Sequence, residues 1–223
     1  MRRLFFLFLV LSLNSCKQPA KDSISNESTT KDSTINESTT KDSAALYNSF
    51  GNSKANLKNY TGAIADYTKA ISLNTQYSDA YFNRGLSKNE LQDYNGAIAD
   101  YTKAIALNPE YSKAYNNRGV SKNELQDYTG AIADYTKVIA LNPEYADAYG
   151  NRGIAKAFLY DFTGSIVDFT NAIALNSRDA DSYYNRGLSK YYLHDNTGAC
   201  EDWSKAGELG NVKAYDKRRL YCQ

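Results

Sequence analysis

The sequence predicts an all-α fold of stacked helix pairs, and three observations carry that prediction. From Ala44 the chain repeats with a period of 34 residues: Tyr47, Tyr81, Tyr115, Tyr149 and Tyr183 keep one register, and Gly51, Gly85, Gly119, Gly153 and Gly187 another. Small residues hold two further places, Ala63, Ala97, Ala131 and Ala199 with Ser165 between them, and Ala70, Ala104, Ala172 and Ala206 with Val138 between them. Ala97 and Ala104 are seven residues apart, which puts both on one face of a helix, where larger side chains would hold its mate off. Asn108-Pro109 and Asn142-Pro143 then supply turns that close a period. A unit of this length leaves an apolar face bare on its own, so successive units must stack.

The elements follow in order. Met1, Arg2 and Arg3 give a basic start, and Leu4 to Leu11 are uninterrupted apolar residues. A bilayer-spanning helix needs about 20 apolar residues, so this core is too short to be one. Basic start, short apolar core and small residues after it are the layout of a signal peptide, here residues 1–15. Leu13-Asn14-Ser15-Cys16 resembles the lipobox of bacterial lipoproteins, with Asn14 bulkier than usual. That resemblance implies cleavage before Cys16, acylation of its thiol and stable membrane attachment through several chains. Lys17 follows the cysteine where an inner-membrane retention signal would place Asp. The expected location is therefore the cell envelope, lipid-anchored in the outer membrane of a Gram-negative cell.

Residues 16–43 form the lipidated cysteine and a tether. KDSISNESTT, KDSTINESTT and KDS repeat every ten residues with only Ile24 and Ile35 as large apolar residues. Such a segment cannot bury enough apolar area to offset ordering, so it is expected to be disordered. Asp22-Ser23, Asp32-Ser33 and Asp42-Ser43 resemble the O-glycosylation signal of exported Bacteroidetes proteins, which makes Ser23, Ser33 and Ser43 acceptor candidates. Plain linker composition accounts for them equally well.

Residues 44–213 form five units. AYNNRGVSKNELQDYTGAIADYTKVIALNPEY, with its aromatic, glycine, second aromatic and alanines, resembles the tetratricopeptide repeat (TPR). The resemblance implies a right-handed superhelical solenoid of about five helix-turn-helix repeats plus a C-terminal capping helix. Asp93, Asp127, Asp161 and Asp195 precede the second helices and can cap their free N–H groups. Arg84, Arg118, Arg152 and Arg186, with Lys88, Lys122, Lys156 and Lys190, face Asp100, Asp134, Asp168 and Asp202. We read these as a ladder of ion pairs that begins at the second unit, because Phe50 stands where the others have Arg.

Residues 214–223 close the chain as a cap. A last helix over 211–221 is expected to place Val212, Tyr215 and Leu220 on the fifth unit, with Lys213, Asp216, Lys217, Arg218 and Arg219 outward. With Cys16 lipidated, Cys200 and Cys222 remain, and an antiparallel cap in an oxidising compartment would bring them together as a disulfide.

Composition excludes more function than it assigns. With 26 Lys+Arg against 25 Asp+Glu, the chain is no nucleic-acid binder by bulk charge. One histidine and three cysteines leave little material for a zinc site or a histidine-based triad, and no phosphate-binding or hydrolase motif occurs. No cofactor, metal or catalytic residue is expected. In TPR proteins ligands lie in the concave groove lined by the first helices, and the matching positions here include Phe82, Asn89, Lys113, Asn116, Asn123, Phe158, Tyr184, Leu188, Tyr191 and Tyr192. The lining is acidic to neutral in front and aromatic behind, with Phe158, Tyr184, Tyr191 and Tyr192 as the strongest patch. The resemblance implies a non-catalytic, membrane-anchored scaffold for a protein or peptide partner in the envelope. An alternative is a carbohydrate- or peptidoglycan-associated protein, in which the aromatics stack on sugars.

Overall fold

The structure, a computed structural model, describes residues 29–222, with side chains from Ser38 onward. Cys16, Ser23 and the signal segment lie outside the described residues, as does the side chain of Ser33. All packing described belongs to the compact unit Ser38–Gln223. The described residues form eleven helices and no strand. First helices are α1 (Thr29–Asn56), α3 (Ser78–Glu90), α5 (Ser112–Glu124), α7 (Ala146–Phe158) and α9 (Ala180–Tyr192). Second helices are α2 (Tyr60–Leu73), α4 (Tyr94–Leu107), α6 (Tyr128–Leu141), α8 (Phe162–Leu175) and α10 (Asn196–Glu208), and α11 (Val212–Tyr221) closes the chain. No described helix is long and apolar enough to cross a membrane.

Local chemistry sets each helix pair. The first helix ends in a turn whose residue takes the left-handed conformation in every unit: Lys58, Gln92, Gln126, Tyr160 and His194 have φ between 58° and 63°. One residue later, Asp93, Asp127, Asp161 and Asp195 each accept a hydrogen bond from the N–H of the glycine three positions on, and Asn59 does the same in the first unit. The pair closes where a ring lies flat on a glycine. A Cβ on Gly119 would stand 2.7 Å from Cε1 of Tyr135, so only glycine admits the ring there. Tyr67, Tyr101, Phe169 and Trp203 hold the equivalent places and are buried with the small residues Ala63, Ala97, Ala131 and Ala199.

The charged ladder clasps the two helices of each unit and reaches the preceding unit through one arm of each arginine. Arg84 donates from Nε and Nη2 to the two oxygens of Asp100 at 2.9 and 2.7 Å, and from Nη1 to Thr68 of the preceding unit at 3.0 Å. Lys88 reaches the same carboxylate at 2.8 Å, and the Arg84 guanidinium covers the Tyr81 ring at 5.6 Å. Arg118, Arg152 and Arg186 repeat this geometry. The first unit keeps a reduced rung, with Lys54 against Asp66 at 2.6 Å.

Two expectations are corrected. Helix α1 runs back to Thr29, so residues 29–43 of the expected disordered tether are helical. Nucleation is the costly step in helix formation, and the packed segment from Ala44 onward supplies it, so polar residues ahead of it can extend the helix one hydrogen bond at a time. Ser43 lies in this helix, where its hydroxyl donates to the Thr39 carbonyl at 2.8 Å. In the cap, Val212 and Leu220 are 74% and 61% exposed, whereas Ala214 is fully buried. Counted from its N-cap Asn211, α11 matches α9 from its N-cap Asp179: Ala214 falls on Ser182, Tyr215 on Tyr183 and Arg218 on Arg186. It is the first helix of a sixth unit without its mate. Arg219 occupies the place of Gly187, where a second helix would need to lay an aromatic ring, and so ends the stack. Tyr215 remains half-exposed but anchors the helix by donating to the Gly207 carbonyl at 2.9 Å. Cys200 and Cys222 are joined as a disulfide with their Cα atoms 5.7 Å apart.

Candidate functional site

The first helices line the inner curve. Contacts run from α3 to α5, α5 to α7 and α7 to α9, whereas successive second helices make no comparable contact. Along this face, the first two units, and likewise the fourth and fifth, meet in a small cleft bounded by the end of one first helix, the start of its second helix and the following first helix.

The cleft between the first two units is mixed in character, with Ala55 and Leu86 among polar side chains. It encloses about 370 Å³ and is lined in part by Asn52, Asn56, Tyr60, Tyr67 and Glu90. Desolvation, followed by a hydrogen bond and the charge of Glu90, holds the Tyr60 hydroxyl above its ordinary value. The Tyr67 hydroxyl donates to Asn52 at 2.8 Å.

The equivalent cleft between the fourth and fifth units is much more apolar. It encloses about 310 Å³, and in the same places stand Ile154, Phe158, Phe162, Phe169 and Tyr192. Leu188 and Ala157 complete the apolar wall, and Asn185 and Ser189 supply the polar atoms. Phe162 stacks on Tyr192 with centroids 4.8 Å apart, and Phe158 stacks on Tyr128 at the same distance. Neither pair is sealed: Phe158 and Tyr192 remain 59% and 60% exposed. Ser165 and Ser189 share a buried hydrogen bond of 2.6 Å beneath the cleft, which fixes α9 against α8. Ile154 and Asn185 also border a second cleft of about 460 Å³, shared with Tyr184, Asp181 and the start of α11. The two clefts therefore share a wall formed by Ile154 and Asn185. Burial raises the Tyr184 hydroxyl above its ordinary value.

The sequence-derived candidates divide accordingly. Phe158, Leu188 and Tyr192 meet in the apolar cleft, and Tyr184 stands in the adjoining one. Lys113 is exposed. Asn89, Asn116 and Asn123 serve the scaffold: Asn89 accepts from Ser121 at 2.8 Å, Asn116 from Asn151 at 3.4 Å, and Asn123 donates to the Tyr135 hydroxyl at 3.3 Å. Two assignments are corrected. Phe82 is only 8% exposed and packs between Tyr101 and Tyr111, with centroids 5.8 and 4.9 Å away, so it belongs to the core. Tyr191 turns to the cap, against Tyr221 at 4.8 Å and Trp203 at 5.8 Å. Neighbouring helical residues point about 100° apart, so Tyr191 faces the cap and Tyr192 the cleft, although their rings still touch edge to face at 6.1 Å.

Phe162, Phe169 and Tyr160 are cleft residues that the groove pattern did not include. The signal was present: within the fourth unit, two of the repeat's tyrosines become phenylalanines, Phe162 and Phe169, and its Glu becomes Phe158. Among the described residues no cluster of His, Cys, Asp and Glu could hold a metal ion.

Comparison with known proteins agrees with this architecture. Family models of the tetratricopeptide repeat match residues 44–77, 78–111 and 112–145. No curated protein matches the sequence. Among solved structures the chain is similar to YrrB, described as a TPR protein with an unusual peptide-binding site, with 22% identity and a TM-score of 0.71 over 86% of this chain and 98% of that one. It is also similar to MamA from Desulfovibrio magneticus RS-1, with 21% identity and a TM-score of 0.72 over 75% and 95% of the two chains. PilF of Pseudomonas aeruginosa shares 17% identity and a TM-score of 0.68 over 77% and 78%.

Proposed function

We propose that this chain, an all-α protein with the tetratricopeptide repeat fold, is a non-catalytic scaffold that seats a protein or peptide partner in the groove of its first helices. In this reading Cys16 carries the lipid, the outer membrane is the site of attachment, and the folded unit presents its groove within the envelope. The observation that carries the binding role is the cleft between the fourth and fifth units. It combines two half-exposed rings with a preformed apolar wall, and rigid aromatics give much contact area at small entropic cost. The repeated architecture does not require it, because the equivalent cleft of the first two units has Asn52, Asn56 and Glu90 where this one has Ile154, Phe158 and Tyr192. YrrB, of similar fold, is described as having a peptide-binding site, which supports the same kind of ligand. The matching family models describe repeats and no enzyme.

Site-specific photocrosslinking tests the reading. A photoreactive residue in place of Leu188, in the full chain in native membranes, should trap a polypeptide. The adduct should vanish when Phe158 and Tyr192 are both alanine and helicity is unchanged. An adduct indifferent to those rings would refute groove binding. Trapping of glycan alone would favour the carbohydrate reading, because exposed ring faces also stack on sugars.

A further inference from the structure

The chemistry of the groove changes along its length, and that change specifies the partner. Glu90, Glu124, Phe158 and Tyr192 hold successive copies of one place, at the end of each first helix. Two carboxylates thus lead into the apolar cleft along one line. Glu90 and Glu124 are exposed, and among the described residues neither enters a salt bridge, unlike the ladder aspartates. Lys113 is the one cation among the groove positions of the units between them and the cleft. Two exposed carboxylates without a paired cation, beside an open apolar cleft, are complementary to a chain of opposite charge with a bulky side chain at one end.

We propose that the partner is an extended polypeptide segment with one large apolar side chain, seated between Phe158 and Tyr192, and with basic residues running along Glu124 and Glu90. The proposal rests on the groove being a peptide site. The spacing follows from the stack. Helices packed side by side lie about 8–10 Å apart, and an extended chain advances about 3.3 Å per residue, so each unit matches about three residues. The anchor sits about half a unit beyond Phe158, so the basic residues belong about four and seven positions from it.

Fluorescence anisotropy on the full chain, with labelled nine-residue peptides, tests this. One peptide carries phenylalanine with lysines four and seven positions away, made in both chain directions. A second replaces the lysines by glutamates, and a third replaces the phenylalanine by serine. In the better direction the lysine peptide should bind at least about ten-fold tighter than the glutamate peptide at low salt, and the gap should shrink as salt screens the exposed charges. The serine peptide should lose at least about ten-fold. The variant Glu90→Lys/Glu124→Lys should reverse the charge preference and keep the need for phenylalanine. Both sites are exposed ends of helices, where lysine also suits the helix dipole, so the fold is retained. Equal binding of lysine and glutamate peptides, both dependent on phenylalanine, would overturn the basic partner and leave the peptide groove standing. Binding by none of them, or binding unaffected by Phe158→Ala/Tyr192→Ala, would overturn both.

Discussion

Asp168→Ala tests whether the charged ladder holds the stack together. Asp168 is fully buried and accepts from Arg152 Nε and Nη2 at 3.0 and 2.7 Å, while Lys156 lies 2.8 Å from it. Removing its carboxylate leaves two cations facing each other in a space that excludes most water. Breaking a buried pair in this way costs about 3–5 kcal/mol. The side chains of Arg152 and Lys156 keep 16% and 21% exposure, and Arg152 retains Thr136 at 3.1 Å, so partial rehydration places the loss near 3 kcal/mol, the lower end of that range. For a domain of this size that corresponds to a fall in Tm of about 6–12 °C. Circular dichroism melting gives the shift, and hydrogen exchange should show protection lost first in α7 and α8. Asp216→Ala is the control: its pair with Arg219 is largely exposed and should contribute nothing measurable. A change in Tm below about 2 °C for Asp168→Ala would refute the claim that these pairs secure the units.

Further outcomes follow from single contacts. The Tyr101 hydroxyl is buried without a hydrogen-bond partner, so Tyr101→Phe should stabilise by about 1 kcal/mol in urea unfolding. Tyr67→Phe, which loses the bond to Asn52, should do the opposite, and equal signs for the two would contradict the assignment. Cys222→Ser opens a bridge between residues 22 apart and should cost about 3 kcal/mol, with α11 losing amide protection before the other helices; unchanged protection would show that packing of Ala214 alone holds the cap. Burial and then Asp66 push the Tyr67 hydroxyl up to about 12, and burial followed by the charges of Asp100 and Asp134 raises Tyr101 and Tyr135. A folded value above the unfolded value near 10 means the stabilisation is complete below about pH 10 and is lost as pH rises through the folded values. Phenolate absorbance of these tyrosines should therefore rise together with loss of helicity, and titration near pH 10 with helicity intact would contradict their burial.

What repeats in the sequence was readable from it. The Arg84–Asp100 rung, the Asp93 cap and the Gly85–Tyr101 contact are local to one unit, so a fixed spacing carries them. The cap misled because α10 and the turn at Gly210, with φ of 98°, are each one residue shorter than in the other units, so α11 starts two residues earlier than the period requires. That shift makes Ala214, rather than Val212 or Leu220, the buried residue. The cleft was only half readable, because Phe158, Phe162 and Leu188 come from three helices and meet only when two units dock. Phe82 shows the converse: a ring on the groove-facing pattern was drawn into the core by Tyr101 and Tyr111.

The most direct test of groove binding is a methyl-labelled NMR titration of the full chain with a peptide bearing one phenylalanine. Shifts concentrated at Ile154, Ala157 and Leu188, and abolished by Phe158→Ala/Tyr192→Ala, are the predicted result. Shifts centred instead on the cleft of the first two units around Ala55 and Leu86, or spread evenly along the stack, would contradict it.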